Sequence, residues 1–153
     1  MKVIKVKCII DDDVKKKYSI VNPAQIEFYI LVYLNDPDGW SKKGYSFYPV
    51  SQNEDVLIRL SSEETIQSTC GLEKGLSCAE LNGKNIWLNA HRWFHGASKS
   101  KLPLDDYRQY MVSHEMGHIL GYEHAECPCK GCSAPIMMQQ TKGIGQCKPN
   151  TKI

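Results

Sequence analysis

Residues 114–124 read His114-Glu115-Met116-Gly117-His118-Ile119-Leu120-Gly121-Tyr122-Glu123-His124, and this stretch decides the fold. Two histidines four apart stand one above the other on a helix, close enough to share one ion. Glu115, one residue on, reaches the same side without being forced onto that ion. Gly121 can take the left-handed conformation that ends a helix and turns the chain, which brings His124 round as a third ligand. Three imidazoles fill three corners of a tetrahedron and leave the fourth for water, whereas structural zinc sites are closed four-ligand cages that usually include cysteine. Zinc so held lowers the pKa of its bound water to about 7 and polarises a carbonyl oxygen. Glu115 would be the general base for that water and then the proton donor to a leaving amine.

The elements around this stretch follow from periodicity. Pro103 and Asp105 mark the start of its helix, with Asp105 as N-cap, Asp106 placed well against the dipole and Gly121 at the end. Val112, Met116, Ile119 and Leu120 make the face that packs on a sheet. Upstream, residues 2–10 predict a strand and the charged run 11–17 a solvated turn. Asn22 caps a helix over 23–35, with Pro23 first and Ile26, Tyr29, Ile30, Tyr33 and Leu34 on one face. The breakers Asn35-Asp36-Pro37-Asp38-Gly39 stop it. Strands are expected over 45–50 and 56–60, joined by a polar turn at 51–55, then a short helix over 62–68 and a third strand over 85–90. His91 to Gly96 read as a turn. Beyond Tyr122 the chain is mostly loop. The expectation is an α+β fold: a twisted mixed sheet, a backing helix, an active-site helix and a small irregular Cys-rich C-terminal part. At 153 residues this fits one domain over 1–153.

Composition excludes other classes. A net charge of +2 does not advertise a nucleic-acid surface, and a cysteine-rich nucleic-acid-binding module would need a clustered basic face. No apolar run is long enough to span a membrane, so the chain is expected to be soluble, with no membrane span. Residues 1–13 lack the apolar core of a secretory signal, which leaves the compartment open. Seven cysteines, at 8, 70, 78, 127, 129, 132 and 147, leave at least one thiol unpaired in any all-disulfide scheme.

The frame HExxHxxGxxH resembles that of the metzincin clan of zinc metallopeptidases, whose second signature is a tight turn holding a methionine beneath the metal. Met137, thirteen positions beyond His124 in Ser133-Ala134-Pro135-Ile136-Met137-Met138-Gln139, looks like that residue, with Met138 its competitor. Ala125 departs from the residues that the astacins, serralysins, matrixins and adamalysins carry after the third histidine. Gln139 stands where astacins and serralysins place a metal-binding tyrosine, so no fifth ligand is expected. The cysteine spacing does not match the second zinc site of archaemetzincins. A closer likeness is to a little-characterised family of metzincin-like domains in secreted or membrane-anchored actinobacterial proteins. It rests on the Leu34 to Trp40 turn, on Arg92, Trp93, His95 and Gly96, on Tyr-Arg-Gln-Tyr before the motif, and on residues 135–147. The resemblance implies a metzincin-like zincin fold, a zinc-dependent endopeptidase and an extracytoplasmic location.

That likeness also implies pairing Cys70 with Cys78 and Cys127 with Cys147. The remaining Cys129-Lys130-Gly131-Cys132 is a CxxC, open to a third disulfide or, with Cys127 and Cys147, to a second, structural zinc. Cys8 in an apolar strand reads as a buried thiol. His91 and His95 are not spaced for the same zinc. In metzincins the strand before the active-site helix is a sheet edge that binds extended peptide. The strand over 85–90 resembles it, making a protein or peptide the expected partner of a monomer. The rival function is a non-catalytic zinc-binding protein-interaction module derived from a metallopeptidase, against which the intact Glu115 counts.

Overall fold

The computed structural model describes residues 2–19 and 22–153. Five strands form one sheet: β1 Lys2–Ile10, β2 Tyr45–Pro49, β3 Val56–Ser61, β4 Cys78–Ala79 and β5 Asn85–Asn89. Their spatial order is β2-β1-β3-β5-β4. The first three and β5 run parallel, while β4 is antiparallel to β5. The fold is therefore α+β with a mixed sheet, as the sequence implies.

Two-residue alternation sends Ile4, Val6 and Ile10 of β1 to the buried face, with Phe47, Val56, Ile58, Leu60, Ile86 and Leu88 beside them. The helices α2 (Pro23–Leu34) and α5 (Leu104–Ile119) complete this core. Asn22 caps α2 as expected, its side chain accepting from the Gln25 N–H at 3.2 Å. Ile26, Ile30, Tyr33 and Leu34 are the buried stripe.

The connection from β2 to β3 is short for parallel strands, which ordinarily need a crossover of a dozen or more residues. The register explains it. Val6 pairs with Pro49 on one side and with Val56 on the other. Thus β2 flanks the first half of β1 and β3 the second, and residues 50–55 need only step across. Val50 N–H donates to the Val6 carbonyl at 2.9 Å and Asp55 N–H to the Lys5 carbonyl at 2.8 Å. Pro49 is tolerated because β2 is an edge.

Three local expectations need correction. Residues 12–17 form a helix, α1 (Asp12–Lys17), with Asp12 and Asp13 in its first turn and lysines in its last, the order that suits the dipole. Its single buried residue, Val14, was too little apolar pattern to stand out in a charge run. Residues 90–95 are also helical, α4 (Ala90–His95), capped by Asn89, which accepts from the Arg92 N–H at 3.1 Å, and anchored by buried Trp93. The third is the sheet edge. The strand over 85–90, β5, is interior, and the two-residue β4 lies outside it. The short helix α3 (Glu63–Cys70) begins at its cap, Ser62, close to expectation.

Candidate metal centre

α5 carries the two helical histidines and is buried over most of its middle, from Tyr107 and Gln109 to Gly117. Its start differs from the expectation: Pro103 is the N-cap, and the Tyr107 N–H donates to the Pro103 carbonyl at 2.8 Å. Asp105 lies inside the first turn, where its carboxylate accepts the Tyr33 hydroxyl at 2.5 Å and ties α5 to α2. Gln109 donates to Asp36 at 2.6 Å, and the buried Trp40 indole donates to the Ser113 carbonyl at 2.9 Å. The 35–40 breaker turn therefore holds α5 in place as well as ending α2.

His114, His118 and His124 come together. One ring nitrogen of each lies within 4.8 Å of the others. Ligands about 2.1 Å from a tetrahedral zinc stand roughly 3.4 Å apart, so small side-chain rotations would close this set onto an ion. The turn that delivers His124 follows from Gly121, at φ 99°, where an added Cβ would stand 2.7 Å from the Asn82 side-chain oxygen. The Tyr122 N–H closes the helix end by donating to the Gly117 carbonyl at 2.9 Å.

Protonation suits a metal. The Nδ1 of His114 faces the Ile136 carbonyl at 2.8 Å and that of His118 faces the Tyr122 carbonyl at 2.9 Å. A ring nitrogen facing a carbonyl must carry the hydrogen, which leaves Nε2 with its lone pair free. Burial pushes the His114 pKa down to about 3 and lowers those of His118 and His124. All three rings are thus neutral near pH 7, the state that ligates. Glu115 is 6% exposed, and burial pushes its carboxyl up to about 8. A divalent charge nearby would draw that value back down. The donor set and tautomers fit zinc.

Met137 is buried under the helix at Gly117, between the two helical histidines. A Cβ on Gly117 would lie 2.3 Å from the Met137 sulfur and 2.9 Å from the Trp40 ring. Gly117→Ala should therefore destabilise the protein by about 1–2 kcal/mol even after the roughly 1 kcal/mol that alanine gains in helix propensity. Urea unfolding measures it, and a variant as stable as the parent would mean that both side chains yield freely. Met138 is only half-buried, and its carbonyl accepts the Tyr110 hydroxyl at 3.0 Å.

A cavity of about 760 Å³ contains His114, Glu115, His118 and His124. Trp87 and β4 form one side of it, with Tyr107, Tyr110 and Met111 from α5 and Gln139, Thr141 and Lys142 after the methionine. His91 and His95 are not among its lining residues; they sit on α4 with ring centroids 4.7 Å apart.

Disulfides join Cys70 to Cys78, Cys127 to Cys147 and Cys129 to Cys132. The four C-terminal cysteines are thereby paired rather than gathered as ligands, so the second-zinc option falls away. Cys8 is the free cysteine, its thiol pushed up to about 12 by burial and by Glu27. Sequence reasoning did not find the Ile136 and Tyr122 carbonyls that orient the histidines, since a backbone carbonyl carries no residue-type signal. Nor did it find Tyr110, whose buried hydroxyl accepts from the Gln140 N–H at 2.8 Å and so fixes the segment after Met137. No helix is long and apolar enough to cross a membrane among the described residues.

The model of a family described as "Protein of unknown function (DUF3152)" matches residues 21–150. Among solved structures, the chain is similar to the crystal structure of myroilysin, with a TM-score of 0.48 and 16% identity over 88% of this chain and 46% of that one. It is also similar to the crystal structure of archaemetzincin from Archaeoglobus fulgidus complexed with malonate, with a TM-score of 0.48 and 15% identity over 95% and 96% of the two chains. The chain thus spans about half the length of the myroilysin it matches. No curated protein matches it.

Proposed function

The chain belongs to the DUF3152 family, whose description assigns no activity, and from its three-histidine centre we propose that it is a zinc-dependent endopeptidase. One observation carries the reading: three neutral imidazoles converge beside a buried carboxyl group inside an open cavity. His114, His118 and His124 hold the ion. Bound there, zinc supplies the Lewis acidity that acidifies a water and polarises the scissile carbonyl.

Glu115 does the proton work. Its buried carboxyl has no side-chain hydrogen-bond partner among the described residues, so it is free to take a proton and to hand it to the leaving nitrogen. Met137 forms the floor, its sulfur packed against Gly117, which stands between His114 and His118 in the chain. The edge strand β4, with the residues that follow it, binds an extended protein or peptide substrate antiparallel. Three disulfides suit an oxidising, extracytoplasmic compartment.

The test is metal analysis followed by cleavage. Purified protein should carry one zinc per chain and cut members of a peptide library. A strong chelator should abolish cutting, and added zinc should restore it. Failure to take up zinc, or cleavage indifferent to the chelator, would overturn the reading.

A further inference from the structure

Beyond the Tyr107 end of α5 a second cavity of about 370 Å³ adjoins the first, and the two share Glu73, Leu76, Thr141 and Lys142. Its lining carries four cations, Lys74, Arg92, Lys99 and Lys142, against the single carboxylate of Glu73. Glu73 is engaged by Lys142 at 3.0 Å, so a carboxylate already rests on this wall. Lys74 leans toward Glu63 at 4.0 Å with its own side chain 75% exposed, a pair too loose and too wet to neutralise it. Arg92 is held in place, Nε donating to the Gly75 carbonyl at 2.9 Å and Nη1 to the Gly96 carbonyl at 3.2 Å. Gly75, at φ 90°, permits this: a Cβ there would stand 2.6 Å from Nη2. Thr141 is tied to Tyr107 through their hydroxyls at 2.9 Å, which fixes the shared wall against α5.

Position along the cleft gives the pocket a direction. β4 leads from Leu76 and Ser77, beside the basic pocket, toward Asn82, whose N–H donates to the His118 carbonyl at 2.9 Å. A peptide antiparallel to β4 runs the other way, so its residues after the scissile bond approach Lys142. Tyr107 precedes His114 by about two helical turns, roughly 10 Å along the axis, which is the reach of about three extended residues. Glu80, just past β4, and Glu123, next to His124, also line the first cavity.

Resting on the peptidase reading, we propose that this basic pocket is a carboxylate-binding subsite that selects substrates with a carboxylate about three residues C-terminal to the scissile bond. An acidic side chain and the terminal carboxylate of a short peptide both supply that chemistry. Four peptides of otherwise identical sequence separate them: the third residue after the cleaved bond is Glu or Gln in two amidated peptides, and the chain ends there as free acid or amide in the other two.

With zinc-loaded protein, kcat/KM should favour at least one acid over its neutral partner by about tenfold. The Lys99→Ala, Lys142→Met double variant should bring that ratio to within about twofold, as should high salt. Equal cleavage of all four by the parent protein, or a preference that survives the double variant, would overturn the subsite. If no peptide is cut, the peptidase reading fails by itself, and binding still decides this one. Ala-Ala-Glu amide, but not Ala-Ala-Gln amide, should then shift the backbone amide resonances of Ser98, Lys99 and Thr141. Identical spectra with the two would overturn it.

Discussion

Glu115→Gln should lower peptide hydrolysis by about 10³- to 10⁴-fold while leaving the zinc in place, at the upper end of what a positioned acid–base group contributes. The amide is nearly isosteric, so it fills the same buried space at 6% exposure without moving His114 or His118. It cannot accept a proton at neutral pH. The three imidazoles are unchanged, so metal content should stay at one per chain. The stability of the metal-free fold should not suffer either: without an ion, burial pushes the carboxyl up to about 8 because charge is costly there, and a neutral amide removes that cost. The expected result is a folded, metal-loaded protein with almost no turnover, whose metal-free form melts no lower than that of the parent. Activity within about tenfold of the parent would mean that another group moves the proton, and Glu115 would lose its role.

What the sequence made legible was the part governed by short-range periodicity. The i, i+4 spacing of His114 and His118, the Gly121 turn and the Asn22 cap are each fixed by a few neighbouring residues, and each stands where expected. The α2 stripe from Ile26 to Leu34 obeys the same logic. The misreadings lie where long-range pairing decides. β5 became interior because the two residues of β4 add outside it, and two residues leave no alternation to detect. α1 and α4 are single short helices whose charge or aromatic content imitates turns, the first secured by buried Val14 and the second by buried Ala90 and Trp93. Asp105 had the chemistry of a cap but was taken by Tyr33, a partner 72 residues away. The basic pocket is the extreme case, since Lys74, Arg92, Lys99 and Lys142 come from separate parts of the chain.

His124→Ala offers the cleanest removal of a proposed metal ligand. His114 is 5% exposed and packs against the core, so truncating it would confound lost packing with lost ligation. His124 is exposed, lies beyond the end of α5 and fills no core space. Its loss should leave the metal-free fold nearly as stable as before. Zinc affinity should fall steeply. Structural zinc sites bind with about 10–16 kcal/mol from four ligands, or roughly 3 kcal/mol each, so losing one of three imidazoles should weaken binding by at least about 100-fold. Competition against a chromophoric chelator measures this directly. Thermal melts give a second readout, because zinc raises the melting temperature only in proportion to how tightly the folded state holds it. The parent should gain stability at zinc concentrations where the variant gains none. An undiminished affinity would remove His124 from the site. The centre would then be a two-histidine pair on α5, and the turn at Gly121 would need another explanation, such as the close approach of Asn82.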